Sequence, residues 1–151
     1  MDTTSTPPPI FSGEVRHSID GKNRVTIPSR WRRTDADVFV LAPDRKGECL
    51  RAMSPATFRK AGERAAETAG VTRADYAAFE RQFFARSETV TADKQGRLVL
   101  PEQYCRTLKL DGDVVLVGTN EGFQIWNPEA WSRTKEADEA AFARVADLIG
   151  W

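Results

Sequence analysis

Two five-residue stretches carry the chemistry of this chain. Asp20-Gly21-Lys22-Asn23-Arg24 is followed by Val25-Thr26-Ile27-Pro28, and Asp93-Lys94-Gln95-Gly96-Arg97 by Leu98-Val99-Leu100-Pro101. In each, an Asp precedes an Arg by four positions, and a short apolar or β-branched run ends in Pro. Asp20 maps to Asp93, Arg24 to Arg97 and Pro28 to Pro101, all at one constant offset. A carboxylate and a guanidinium at this spacing pair across a tight turn, and such a pair contributes only roughly 0.2–1 kcal/mol. The carboxylate therefore structures the turn, while the arginines and the loop lysines are free to act outward as hydrogen-bond donors and positive charges. The loop's last position is Asn23 in one stretch and Gly96 in the other. These are the residue types that accept positive φ at the end of a three-residue hairpin loop.

The elements that position these loops follow from pattern. Val15 to Ile19 and Thr89 to Ala92 read as the strands entering them, and 25–27 and 98–100 as the strands leaving. Pro28 starts a short helical turn through Arg33, broken at Asp35-Ala36-Asp37. Val38 to Leu41 is a buried-strand run, answered by a strand from Glu48 to Met53. Ser54-Pro55 opens a helix ending near Ala69-Gly70. Thr72-Arg73-Ala74-Asp75 has the form of a capping box and opens a second helix, with Tyr76, Phe79 and Phe83 on one face. The same order then returns: a helix over 101–107, a strand over Val114 to Val117 matched to Val38 to Leu41, and a strand over Phe123 to Trp126. Asn127-Pro128 opens the last helix, which keeps Phe142, Val145 and Ile149 on one side. A fixed offset spanning whole elements is the mark of an internal repeat. The chain thus divides into a tail over 1–9, a first unit over 10–70, a connecting helix over 71–86, a second unit over 87–134 and a C-terminal helix over 135–151.

Composition bounds the function. The 151 residues carry 22 Lys+Arg and 22 Asp+Glu, so the net charge is zero. The charge is unevenly placed, with 13 Lys+Arg against 10 Asp+Glu in residues 1–75 and 9 against 12 in residues 76–151. From Arg16 to Arg33 six basic residues (Arg16, Lys22, Arg24, Arg30, Arg32 and Arg33) face one acid, Asp20. The matching window from Thr89 to Arg106 has Lys94, Arg97 and Arg106 against Asp93 and Glu102. Cys49 and Cys105 lack ligand-spaced partners, and the single histidine, His17, belongs to no cluster, so neither a metal site nor a nucleophile motif is expected. There is no Gly-rich phosphate loop and no defensible carboxylate pair, which argues against an enzyme and against any cofactor or small-molecule substrate. No apolar run reaches membrane-spanning length, and the Pro-rich start is not a secretory signal.

The chain resembles the MraZ family, whose members carry two SpoVT-AbrB domains. The resemblance rests on Phe11-Ser12-Gly13-Glu14, on both Asp-x-x-x-Arg loops with their prolines, on Arg81-Gln82-Phe83-Phe84-Ala85, on Val114-Val115-Leu116-Val117-Gly118 and on Ile125-Trp126. It covers roughly residues 11–149. It implies an α+β, mainly β fold: a swapped-hairpin β-barrel of two pseudo-symmetric copies with flanking helices. It also implies a ring-shaped homo-oligomer and a cytoplasmic, nucleoid-associated transcription regulator. Such a regulator binds short repeats of double-stranded DNA at the promoter of the division and cell-wall gene cluster. Carried over, the DNA-contacting residues include Lys22, Arg24, Lys94 and Arg97. Asn23 stands where the family mostly has Gly, and the turn accommodates it.

On this reading Arg24 and Asn23 reach base edges, since Arg pairs with guanine and Asn with adenine. Phosphate neutralisation by Arg16, Lys22, Arg30, Arg32 or Arg33 is expected to position the protein, while Asp20, Asp93 and Gly96 shape the loops. The more basic first copy is expected to contribute more than the second. The alternative is a protein-interaction or antitoxin-like oligomeric module, served by the aromatic helix and the acidic C-terminal helix.

Overall fold

The computed structural model describes residues 9–34 and 36–151, so the expected tail over 1–9 lies outside the described residues apart from Pro9. The architecture is α+β and mainly β, as expected. The strands are β1 (Glu14–Ser18), β2 (Arg24–Thr26), β3 (Val38–Pro43), β4 (Leu50–Met53), β5 (Glu88–Thr91), β6 (Arg97–Val99), β7 (Asp113–Thr119) and β8 (Gly122–Trp126). The helices are α1 (Pro55–Glu67), α2 (Arg73–Ala85), α3 (Glu102–Thr107) and α4 (Pro128–Ile149), with a 3-10 turn at Ser29–Trp31.

The strands form two sheets rather than one closed barrel. Six lie in the order β1-β7-β8-β4-β3-β5, and β2 pairs only with β6. The local hairpin expected between the strands over 15–19 and 25–27 therefore does not zip up. β1 ladders onto β7, and β2 leaves for its counterpart β6. The Asp20 amide donates to the Arg24 carbonyl at 3.0 Å, but the Ile19 amide before it already donates to Gly112 at 2.7 Å, so the ladder does not extend back along β1.

The exchange runs both ways: β1 pairs with β7, and β5 pairs with β3. The sheet order consequently reads the same from either edge when corresponding elements of the two halves are interchanged. Val25 faces Leu98 in the small sheet, and Arg51 faces Gln124 at the centre of the large one. Residues facing their own counterparts mark a local two-fold relation. One correspondence is corrected. Leu41 pairs with Glu88 and Leu116 with Val15, so Leu116 is the counterpart of Leu41 and Asp113 that of Val38. The sequence match of Val38 with Val114 was one residue out. The longer β3–β4 connection, against a two-residue turn at Asn120-Glu121, shifts the alignment there.

The core lies between the sheets. Val25, Ile27, Leu98 and Leu100 close over Leu41, Leu50, Val114, Leu116, Phe123 and Ile125, with Trp31 fully buried among them. The Trp31 ring centroid lies 5.4 Å from Phe123 and 5.9 Å from Phe11, and its indole N–H donates to the Ser12 carbonyl at 3.2 Å. Alternation puts the other residues of the large sheet on its opposite face. There Val115 and Trp126 pack beneath α4 at Ala130 and Trp131, and Val40 and Met53 beneath α1 at Phe58.

The helix caps match the residues that signalled them. Ser54 Oγ accepts from the Thr57 amide, Thr72 and Asp75 exchange bonds in a capping box, and Asn127 Oδ1 accepts from Glu129 and Ala130. The aromatic face of α2 packs on α1, with the Phe83 ring stacked on Phe58 at 4.2 Å and on Phe79 at 4.9 Å.

Candidate nucleic-acid interface

Each loop is built around its aspartate. Asp20 Oδ1 accepts from the Lys22 and Arg24 amides, both at 2.9 Å, while Oδ2 accepts from Arg24 Nε at 2.7 Å. Asp93 repeats this with the Gln95 and Arg97 amides at 2.9 Å and Arg97 Nε at 2.7 Å. The turn closes through Asn23 N to Asp20 O at 3.0 Å and Gly96 N to Asp93 O at 2.9 Å. Asn23 takes φ 59° and Gly96 φ 78°, as the positive-φ loop position requires. Above all the Arg24 amide, then the Arg24 side chain and the Lys22 amide, hold the Asp20 carboxyl down at about 2. The Arg97 amide, with its side chain and the Gln95 amide, lowers Asp93 in the same way. Both aspartates are therefore ionised at neutral pH.

The two loops are stitched together. The Ile27 amide donates to the Gly96 carbonyl at 2.7 Å, and the Leu100 amide to the Asn23 carbonyl at 2.8 Å. Between them lies the β2–β6 ribbon, with Arg24 opposite Val99 and Thr26 opposite Arg97. Val25 and Leu98 point into the core, so Arg24, Thr26, Arg97 and Val99 share the outward face. Arg24 and Arg97 are diagonal neighbours on that face. Their Nε atoms are tied to aspartate, and among the described residues their terminal guanidinium nitrogens have no partner. Lys22 and Lys94 are exposed beside them. The structure thus brings together Lys22, Asn23, Arg24, Lys94 and Arg97, with Asp20, Asp93 and Gly96 as their frame.

Arg16 and Arg30 lie elsewhere. Arg16 faces the same way as Glu14 and as its ladder partner Val115, which is the α4 side of the large sheet and the side away from the ribbon. Glu14 there pairs with Lys135 at 2.9 Å. Arg30 sits at the opposite end of β1 from the first loop. Its terminal nitrogen donates to the Ser12 carbonyl at 3.3 Å, and the guanidinium lies 5.6 Å from the Trp31 ring centroid. Alternation along β1 already carried the signal for Arg16.

Arg32 goes to the second loop, where it donates to the Lys94 carbonyl at 3.2 Å. The local basic excess of the first copy is thereby dispersed, with Arg16, Arg30 and Arg32 each away from the first loop.

Among the described residues no group of three or more His, Cys, Asp or Glu is arranged to hold a metal ion, and no helix is long and apolar enough to cross a membrane. An outward face bearing two cations beside Thr26 and Val99 suits an extended polyanion.

Known proteins resemble this chain over most of its length. The family model described as "MraZ protein, putative antitoxin-like" matches residues 83–149. The protein named "Transcriptional regulator MraZ" from Desulforamulus reducens is 35% identical over 142 residues, covering 93% of this chain and 97% of its own length. Its namesakes from Heliobacterium modesticaldum and Carboxydothermus hydrogenoformans are 33% identical over 140 residues and 35% over 142. Each covers 93% of this chain and 96% of its own length.

Proposed function

The chain belongs to the MraZ family, and from that premise we propose that it is a sequence-specific, double-stranded-DNA-binding transcription regulator. The observation that carries this is the paired outward presentation of Arg24 and Arg97. Each guanidinium is fixed at Nε by its own aspartate, so its two terminal nitrogens are left unpaired among the described residues and available as a fork. Such a fork matches the O6/N7 edge of guanine in the major groove, and Asn23 beside it offers an amide to adenine. Lys22 and Lys94 supply phosphate neutralisation. Prior pairing with aspartate reduces the side-chain freedom lost on binding, at about 0.5–1.5 kcal/mol per immobilised chain. Zero net charge is compatible with this role because the charge is local.

The target belonging to this reading is the promoter of the division and cell-wall gene cluster, read as short repeats by a cytoplasmic, nucleoid-associated protein. Self-association into a ring is the matching assembly, since repeated weak contacts act together when target repeats match subunit spacing. Phe142, Val145, Leu148, Ile149 and Trp151 on and just beyond the far half of α4 are exposed, Trp151 by 90%, and would supply its contacts. No catalytic step is assigned to any residue.

The test is fluorescence anisotropy on a labelled duplex from upstream of the protein's own gene, against a scrambled duplex, at two salt concentrations. Wild type binds the native duplex preferentially and less tightly as salt rises, while Arg24→Ala and Arg97→Ala each weaken it at least tenfold. Equal binding to both duplexes, or none, refutes the proposal. The second reading, an antitoxin-like interaction module, draws on the exposed Phe79 and Phe84 of α2. Tight capture of a defined protein partner without preference for the native duplex would favour it.

A further inference from the structure

The two loops are alike in their aspartate and arginine but not in what lies against them. Arg32 leaves the end of the 3-10 turn of the first half and lays its guanidinium on the loop of the second half. Its Nη2 donates to the Lys94 carbonyl at 3.2 Å. The guanidinium also occupies the space where a side chain at Gly96 would begin, since a Cβ there would lie 2.6 Å from Arg32 Cζ and Nε. The residue that answers Arg32 at the repeat offset is Cys105, which cannot make the corresponding contact. At the first loop the equivalent space is an open surface cavity of about 490 Å³, lined by Gly21, Asn23, Glu102, Cys105, Arg106 and Lys109 among others. The loop residues follow suit. Gly96, without a Cβ, sits under the arginine, and Asn23, with one, sits over the cavity.

We propose that Arg32 is a positioning residue for the second loop, holding Lys94 and Arg97 in their DNA-contacting arrangement while the first loop lacks such a strut. The inference rests on the DNA-binding reading above. Holding a loop through a backbone carbonyl differs from touching a phosphate. A phosphate contact adds about 0.9 to the slope of log affinity against log salt, whereas a strut changes affinity at constant slope. A charge-assisted donor to a loop carbonyl is strong enough for its loss to weaken binding about tenfold.

Two measurements test this on the full chain with Arg32→Ala, Arg32→Gln and Arg32→Lys. The first is hydrogen exchange, which needs no DNA. Arg32→Ala speeds exchange of the bonded amides of Gln95, Gly96 and Arg97 and leaves those of Lys22, Asn23 and Arg24 unchanged. Arg32→Gln, whose neutral amide still donates to the Lys94 carbonyl, restores much of the protection. Unchanged exchange at the second loop, or equal acceleration at both loops, overturns the proposal.

The second is anisotropy on the same duplexes. Arg32→Ala weakens binding about tenfold at unchanged salt slope, and Arg32→Gln recovers most of it. A slope lower by about 0.9, rescued by Arg32→Lys and not by Arg32→Gln, makes Arg32 a phosphate contact and overturns the positioning role. If wild type shows no preference for the native duplex, the regulator reading falls. The exchange result then still decides whether Arg32 holds the loop.

Discussion

Replacing Gly96 by Asn separates backbone conformation from space. The backbone demand at this position is modest, because Asn23 already adopts φ 59° in the equivalent place of the first loop. Asn is among the residues that enter the left-handed region most readily, so its conformational cost relative to Gly is a few tenths of a kcal/mol, well below the ~1–2 kcal/mol of an ordinary side chain. The space is another matter. A Cβ at Gly96 would lie 2.6 Å from Arg32 Nε and 2.7 Å from Nη1, so the guanidinium must leave. Arg32 ends a flexible side chain, so it can swing into solvent, and what is lost is its bond to the Lys94 carbonyl. That bond is solvent-accessible, which puts it near the low end for such contacts, about 1 kcal/mol. Gly96→Asn is therefore expected to cost about 1–1.5 kcal/mol in chemical denaturation. Asn23→Gly, which disturbs no neighbour, should cost less than ~1 kcal/mol, because relief of the left-handed backbone offsets part of the added freedom of the unfolded chain. The decisive assay is the double-mutant cycle. Gly96→Asn and Arg32→Ala remove the same contact, so together they should cost about 1 kcal/mol less than their sum. Additive effects would refute the idea that Arg32 lodges against Gly96.

Other outcomes follow from the same geometry. Asp20 titrates at about 2 in the folded chain, below its ordinary value, because the fold stabilises its carboxylate, and Asp93 is lowered likewise. Their contribution is complete above the unfolded carboxyl range and fades as pH falls toward 2. The Asp20→Asn/Asp93→Asn double variant should then lose less of its melting temperature between pH 5 and pH 2 than wild type; an identical pH profile would rule out the loop carboxylates as contributors. Trp31→Ala should cost about 3–5 kcal/mol in chemical denaturation, because it empties a fully buried site between Phe11 and Phe123. A cost below ~1.5 kcal/mol would mean that Trp31 is not the plug between the two sheets. Arg97→Ala should weaken DNA binding at least as much as Arg24→Ala if Arg32 braces the second loop as proposed. A clearly larger effect of Arg24→Ala would restore the ranking by local charge.

What the sequence disclosed is what the chain encodes locally. The Asp-to-Arg spacing, the positive-φ position and the capping residues Ser54, Thr72 and Asn127 act on their near neighbours in the chain, so their types and spacing suffice to find them. Strand partners are different. β2 and β6 are three residues long, too short for alternation to specify a partner. The decision between a local hairpin and an exchanged one is made in the other half of the chain, by the carbonyl of Gly112 and the ladder of β6. Charge counting does not locate these side chains for a related reason. A window of six basic residues is contiguous in sequence, but β1 turns Arg16 toward α4, Arg30 goes back to Ser12, and Arg32 crosses to the other loop.

A trace of that crossing was nevertheless written in the sequence, as a pair of departures from the correspondence between the halves. Asn23 answers Gly96, and Arg32 answers Cys105. Because the halves exchange elements, each of these loop residues faces the turn of the other half. Gly96 meets Arg32, and Asn23 meets the cavity beside Cys105. At the second loop a large residue lies over a glycine, whereas at the first the smaller Cys105 leaves a cavity beside Asn23, so the two places are filled differently. Read singly, Asn23 is a tolerated deviation and Arg32 one more surface charge. Read as a complementary pair, they identify a contact between segments far apart along the chain, and they explain why two loops of nearly identical internal geometry need not contribute equally.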